Sequence, residues 1–390
     1  MYHILMITWA CFGQDDIYQA FHHLGHKVST LPLPEEGHKR MDEQYLAELK
    51  QGLDSVKPDF VFTFNFFPII AQACKDKGYK YISWIYDSPY SKMLYPDVLY
   101  ETNYVFTFDS YMCDHLQSKG AETIYYAPLA VNPQRMCSVP ITVEDEKRFG
   151  VDISFVGALY NEKHHFFERL CSKLDPYTIG YLEALIMAQT DIYGCDVMER
   201  CLTKDIIAKI EVCMPYSTPE GFLAPASHIY SNYYLARKVT ETERMLMVEL
   251  LSERFQMDLY TLDENVKIGR AVNKGIADYM IDMPKIFRLS KINMNVTGKS
   301  IHTGIPLRAM DIMGCGGFLL TNFQEDLFRH FEPDVDFVYY TSFEEMLDKA
   351  EYFLSHDEER EKIRRSALDK MTREHTFEIR INEMLQIVDG

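Results

Sequence analysis

The residues over 301–322 are the ones best suited to hold a charged ligand. His302, Thr303 and Gly304 read as a loop, and Pro306 suits the first turn of a helix, where its missing N–H costs nothing. The free N–H groups and the dipole of such a helix start favour an anion. Arg308 adds a charge-assisted phosphate contact. Asp311, three residues on and on nearly the same face, can accept the hydroxyls of a ribose. Gly314-Cys315-Gly316-Gly317 then stops the helix and lets a buried strand pass close by, so Gly316 and Gly317 join the candidate set. The competing reading of the same residues is an amphipathic helix carrying an Arg–Asp pair.

Three other places carry candidate chemistry. Trp9, Phe12 and Gly13 follow the first predicted strand, as a substrate-facing loop or as a turn whose Asp15 caps the next helix. Asp87 and Ser88 stand at the end of the fourth predicted strand, with Trp84, Tyr86 and Tyr90 around them. One carboxylate among aromatic rings suits a sugar, and Asp87 could serve as a general base on a hydroxyl. An Asx-turn at a strand end is the alternative. Gly157 follows the first strand of a second series and allows close backbone approach, while Lys163 could reach a phosphate or lie on the surface.

These residues need elements to hold them. Short apolar, aromatic and β-branched runs at 3–9, 27–33, 60–66, 81–87, 104–110 and 123–129 alternate with amphipathic stretches. Strands apolar on both faces between helices indicate a parallel sheet covered on both sides. Prolines 128, 133 and 140 and an acidic stretch at 144–146 mark a linker over 136–150. A second series follows at 152–157, 257–262, 292–296, 317–322 and 336–340. Its first two strands are separated by a helical insertion at about 175–252. The chain thus reads as α/β with two Rossmann-like domains: 1–135, then 151–370 with the insertion. A C-terminal helix over 371–390 is expected to pack back on the first domain. Open parallel sheets bind ligands outside the carboxyl ends of their strands, at the switch in strand order, which is where the candidates lie.

Bulk properties narrow the function. The 390 residues carry a net charge of −18, which argues against general nucleic-acid or anionic-membrane binding. A stretch from Met283 to Met310 lacks Asp and Glu but holds Lys285, Arg288, Lys291, Lys299 and Arg308, so a local positive pocket is open as a reading. Nine cysteines with no Cys-x-x-Cys pair favour reduced thiols in a cytosol. The N-terminus runs straight into a strand without a basic leader, and no apolar stretch reaches membrane-spanning length. A cytoplasmic protein is expected.

Several motifs together resemble the GT-B glycosyltransferases, specifically the bacterial CgeB-like group with an N-terminal domain of the DUF3880 type. They are Trp-Ile-Tyr-Asp-Ser-Pro at 84–89, Phe-Val-Gly at 155–157 and Glu-Ala-Leu-Ile-Met-Ala-Gln with Ile-Tyr-Gly within 183–194. Lys238-Val239-Thr240 with Glu243-Arg244, the 301–322 segment and the terminal His375-Thr376-Phe377-Glu378-Ile379-Arg380 complete the set. The resemblance implies a GT-B fold, two parallel-sheet domains facing across a cleft. The second domain would hold a nucleotide-sugar, with UDP-, GDP- or dTDP-sugar as co-substrate and no tightly bound cofactor. Gly157, Lys163, His302, Thr303, Gly304, Arg308, Asp311, Gly316 and Gly317 would form the donor site. The first domain would hold an acceptor at Trp9, Phe12, Gly13, Asp87 and Ser88, with Asp87 and Arg308 catalytic. In the family's Glu-x7-Glu motif Asp311 falls at the second position and Thr303 at the first, where a Glu would contact the sugar. Ala158 stands where the family's phosphate-binding Arg would be, and Arg308 is a substitute in charge.

The resemblance thus implies a metal-independent transfer to a hydroxyl of a glycan, lipid-linked or cell-surface acceptor. A non-catalytic carbohydrate- or nucleotide-binding relative and an NDP-sugar epimerase are the alternatives. No nucleic-acid partner, at most peripheral membrane contact, and an open question of a homodimer complete the expectations.

Overall fold

The computed structural model describes residues 1–161 and 165–390, so the expected phosphate ligand Lys163 lies outside the described residues. The chain divides into two compact units. One comprises Met1–Val131, Thr218–Ala224 and His375–Gly390, the other Asn132–Ser217 and Pro225–Glu374.

The first unit is built on six parallel strands: β1 (His3–Thr8), β2 (Lys27–Pro32), β3 (Phe60–Phe64), β4 (Lys80–Trp84), β5 (Asn103–Thr107) and β6 (Ile124–Tyr126). Their order is β2-β1-β3-β4-β5-β6, so the strand order reverses between β1 and β3. All five residues of β3 are buried, as expected of a central strand covered on both faces, whereas the edge strand β2 has none buried. Helix starts follow from capping residues: Asp42 accepts from the Tyr45 N–H and Asp109 from the Tyr111 N–H. The last helix, Phe377–Asp389, is capped by Thr376 and packs against the helix Gln14–His23. Its Phe377 ring meets the Trp84 indole edge-on, at 6.0 Å between centroids.

The second unit also has six parallel strands: β7 (Ile153–Val156), β8 (Met257–Tyr260), β9 (Val272–Asn273), β10 (Ile292–Asn295), β11 (Leu319–Asn322) and β12 (Val338–Tyr340). Their order, β12-β11-β10-β7-β8-β9, is the doubly wound one, with its reversal between β7 and β10. β9 was not expected. It has two residues on a sheet edge, one of them polar, and offers no apolar run to read.

Between β7 and β8 the insertion is helical, with a core of its own that includes Leu170, Leu182, Ile186, Ile210 and Tyr230. It ends in a π-helical stretch, Tyr230–Leu235, that runs into the long helix Ala236–Arg254. The 136–150 stretch, expected as a linker, is instead structured within this unit. The helix Val143–Phe149 carries a capping box between Thr142 and Asp145. Asp145 also binds Lys285 at 2.9 Å, and Arg288 donates to the Val139 carbonyl at 2.7 Å. Among the described residues no helix is long and apolar enough to cross a membrane.

Candidate functional site

In the second unit the switch point is occupied by a guanidinium. Arg244, half-buried in the middle of the helix Ala236–Arg254, reaches across the carboxyl ends of β7 and β10. Its Nη1 donates to the Ala158 carbonyl at 2.5 Å, and Nη2 and Nε donate to the Val296 carbonyl at 2.6 and 3.2 Å. The rings of Tyr160 and Phe155 lie against it, at 4.9 and 5.6 Å. Gly157 lies alongside, where a Cβ would crowd the Phe155 ring at 3.3 Å but meet Arg244 Nη1 at an ordinary 3.7 Å. The space expected for a ligand's approach is flanked by the chain's own cation.

Beside it lies a small polar cavity of about 30 Å³, water-sized rather than sugar-sized. The insertion supplies one wall, with Tyr193 and Asp196, the loop after β10 supplies Lys299 and His302, and the end of β11 supplies Asn322. Lys299 Nζ rests 4.0 Å from the centre of the Tyr193 ring and 3.6 Å from the fully buried Glu243 carboxylate. Burial and then the Glu243 charge push the Tyr193 phenol pKa far up. Strand-end amides hold the floor. Asn322 Oδ1 accepts from the Thr297 N–H at 2.9 Å, and Asn295 Nδ2 donates to Thr297 and Thr321.

The 301–322 segment folds as a loop, helix, stop and strand, but its side chains go to several places. His302 Nε2 is 2.8 Å from Asn232 Oδ1, at the cavity. Thr303 Oγ1 donates to Asp326, and Gln324 donates to the Gly304 carbonyl, so the loop is latched to the turn after β11. Pro306 is the N-cap of the helix Leu307–Gly314, one residue before its expected place. Arg308 turns to a different helix. Its Nη1 is 2.8 Å from Met283 Sδ and 3.3 Å from Asp311 Oδ2, and its guanidinium lies over Phe287. Asp311 is buried and also accepts from Tyr279 Oη at 3.0 Å. The structure therefore joins Arg308 to Asp311, one helical turn apart, and neither lines the cavity.

Gly316 and Gly317 need correction. They precede β11, at the opposite end from its carboxyl edge, and packing explains them. Gly316 has φ +76°, and a Cβ at Gly317 would lie 2.8 Å from both Asn293 Nδ2 and the Phe287 carbonyl oxygen. The stretch free of acidic residues is likewise no single positive pocket. Lys285, Lys291 and Lys299 are each bound to a different carboxylate, Asp145, Asp152 and Glu243.

In the first unit the switch point is bridged by an indole. Trp9, just after β1, donates from Nε1 to the Phe64 carbonyl at the end of β3, at 3.0 Å. Gln14 fixes the loop by accepting from the Trp9 N–H at 3.0 Å, while Asp15 lies inside the first helical turn and does not cap. Gly13 is required on two counts: φ is +78°, and a Cβ would stand 2.8 Å from Tyr86 Oη. Phe12 is exposed at the loop's tip.

Asp87 is held by a residue the sequence reading passed over. Asn65, fully buried with φ +60°, donates from Nδ2 to Asp87 Oδ2 at 2.7 Å. Its Oδ1 accepts the N–H groups of Tyr86 and Asp87 at 2.8 and 3.1 Å. The sequence offers only a polar residue within the aromatic run 60–66, with nothing to name Asp87 as its partner. Asp87 keeps access to solvent, yet surrounding protein raises its pKa, with the Asn65 hydrogen bond pulling the other way. Ser88 follows in a turn whose bond to Pro89 is cis. The Cys11 thiol is pushed up to about 12 by burial, then by the charges of Asp87 and Asp15. Among the described residues no group of three or more His, Cys, Asp and Glu is arranged to hold a metal.

Residues 244–386 match the model of a family described as glycosyl transferase-like, and the match begins at Arg244. No curated protein matches the chain. Solved structures do. A glycosyltransferase from Rickettsia africae ESF-5 is similar with TM-score 0.54 and 13% identity, over 99% of this chain and 97% of that one. Sucrose-phosphate synthase (tll1590) from Thermosynechococcus elongatus gives 0.53 at 9% identity, over 100% and 98%. Anabaena Alr3699/HepE in complex with UDP-glucose gives 0.52 at 10% identity, over all of both chains. The chain has the GT-B fold. At these identities the likeness is one of architecture, and the GT-B frame assigns no role to any residue.

Proposed function

We propose that the chain is a glycosyltransferase of the CgeB-like kind, moving a sugar from a nucleotide-sugar to a hydroxyl of a glycan, lipid-linked or cell-surface acceptor without a metal ion. The observation that carries this reading is Arg244: a half-buried guanidinium fixed at the switch point of a doubly wound sheet, where such sheets bind ligands, and at the start of the glycosyl transferase-like match. Negative charge builds on the diphosphate as it leaves, and a cation held in place beforehand stabilises it without reorganisation. Arg244 fills that role, which the sequence had given to Arg308. Arg308 is then left as the partner of the buried Asp311, and neither side chain reaches the cavity. Lys299 and His302, which line the small cavity beside Arg244, add polar groups next to the donor. UDP-glucose bound to the Anabaena relative of the same fold supports a nucleotide-sugar as co-substrate.

The first unit receives the acceptor. Asp87 is clamped through one oxygen by Asn65, and its raised pKa suits a base that takes a proton from an attacking hydroxyl. Trp9 offers a ring face and Ser88 a polar edge.

The test is release of free nucleoside diphosphate from UDP-, GDP-, CDP- and dTDP-sugars, with mass spectrometry of any glycosylated product. One nucleotide family should be turned over by wild type and not by R244A. Turnover of every donor at wild-type rate by R244A would overturn the assignment.

A further inference from the structure

The first unit holds a cation that the reading above does not use. Some lysines of this unit face carboxylates, as Lys50 does Asp76 and Lys77 does Asp54, while Lys75 and Lys80 lie over the rings of Tyr100 and Tyr104. In a chain with 58 acidic and 40 basic residues a carboxylate is rarely far away. Lys92, in the turn Ser91–Leu94 after β4, is half-buried, and among the described residues no carboxylate lies within ion-pair distance of it. Its ammonium rests instead 4.7 Å from the centre of the buried Phe67 ring. Burial without a counter-charge lowers its pKa to about 8, which still leaves it mostly protonated at neutral pH.

Its neighbours are aromatic. The Phe67 ring stands 6.3 Å from Trp9 and 5.5 Å from His38, and Trp9 and His38 are 6.4 Å apart, so the three form a closed triangle. Trp9 follows β1, His38 follows β2 and Phe67 follows β3, which places all three rings at the carboxyl edge of the sheet. The imidazole shares the space with the ammonium: burial, then the Lys92 charge, lower the His38 pKa against a smaller opposing pull from Glu35. Rings that can stack on a sugar's apolar face thus sit beside a positive charge with no carboxylate partner among the described residues.

We infer that the first unit takes an acceptor whose sugar carries an anionic group, a phosphate or a carboxylate, and that Lys92 pairs with that group while the rings of Trp9 and His38 flank the sugar. This rests on the reading that the first unit holds the acceptor. A cation held at a ring face is ready for an incoming anion, and the pair strengthens as water leaves.

The experiment is calorimetric titration of the full chain with glucose, glucose 6-phosphate and glucuronate. At least one of the two anionic sugars should bind about tenfold or more tightly than glucose. The two arms say which anion is preferred. K92M, which keeps the aliphatic stem over Phe67, should bring that sugar down to the level of glucose without lowering Tm, and K92R should retain the preference. Equal affinity for glucose and both anionic sugars, no binding of either anionic sugar, or a preference that survives in K92M would overturn the inference. UDP-glucose and the other donors, titrated into the same samples, separate this failure from the deeper one. Donor binding with no anion preference sinks only the role of Lys92, whereas no donor binding by wild type strikes the transferase reading beneath it.

Discussion

The two sheets reverse their strand order in the same way but close the reversal with different chemistry. In the first unit the indole of Trp9 donates one N–H to the Phe64 carbonyl. In the second the guanidinium of Arg244 donates to the carbonyls of Ala158 and Val296. Both satisfy strand-end carbonyls that would otherwise need water. What they leave for a ligand differs. An indole presents an uncharged ring face, suited to stacking on a sugar. A guanidinium presents a fixed positive charge in a half-buried setting, suited to a diphosphate. One fold used twice thus gives two sites of unlike character, and the residue plugging each switch point sets which is which.

Substitutions can break this contrast, and the largest effect should come from the carboxylate beside the neutral plug. D87N should lower turnover by about 10²–10⁴-fold while leaving donor binding intact, as measured by initial rates and calorimetry. Because surrounding protein raises the Asp87 pKa, the wild-type rate should climb with pH through a value above that of an ordinary aspartate, and D87N should lose that limb. Stability runs the other way. A carboxyl whose pKa is raised on folding binds its proton better in the folded state, so its contribution is lost as pH rises through the folded pKa. D87N should therefore melt no lower than wild type at neutral pH.

At the charged plug, R244A should lower donor turnover by about 10²–10³-fold. R244K sharpens the point: it keeps the charge but not the three-way geometry, and should fall between wild type and R244A. Away from both sites, G317A should cost about 1–3 kcal/mol in denaturant melts, because its methyl would meet Asn293 and the Phe287 carbonyl, while donor affinity per folded molecule stays unchanged. The smallest effect is expected of W9F, which removes one hydrogen bond worth about 1 kcal/mol and should leave donor binding untouched.

Much of this fold was legible because central strands such as Phe60–Phe64 are apolar on both faces and alternate with helices. The helix and stop after His302 were legible for a similar local reason, in Pro306 and in the glycines at 314, 316 and 317. The destination of Arg308 was not, because Met283 and Phe287, which draw it, come from a helix some way back in the chain. Arg244 was hidden differently. Glu243-Arg244 counted toward the resemblance, but its sequence setting gave Arg244 no role, and only the close approach of two strand ends does. Asn65 and Lys92 needed the tertiary structure too, since one is defined by Asp87 and the other by the carboxylate it lacks.

The most direct test of the central claim is calorimetric titration of UDP-, GDP-, CDP- and dTDP-sugars into wild type, R244K, R244A and D87N, each first checked for folding by thermal melt. The account predicts that wild type and D87N bind one nucleotide family with equal affinity, and that binding weakens in R244K and is lost in a folded R244A. Undiminished binding by R244A would contradict the claim that the guanidinium at the second switch point holds the donor diphosphate.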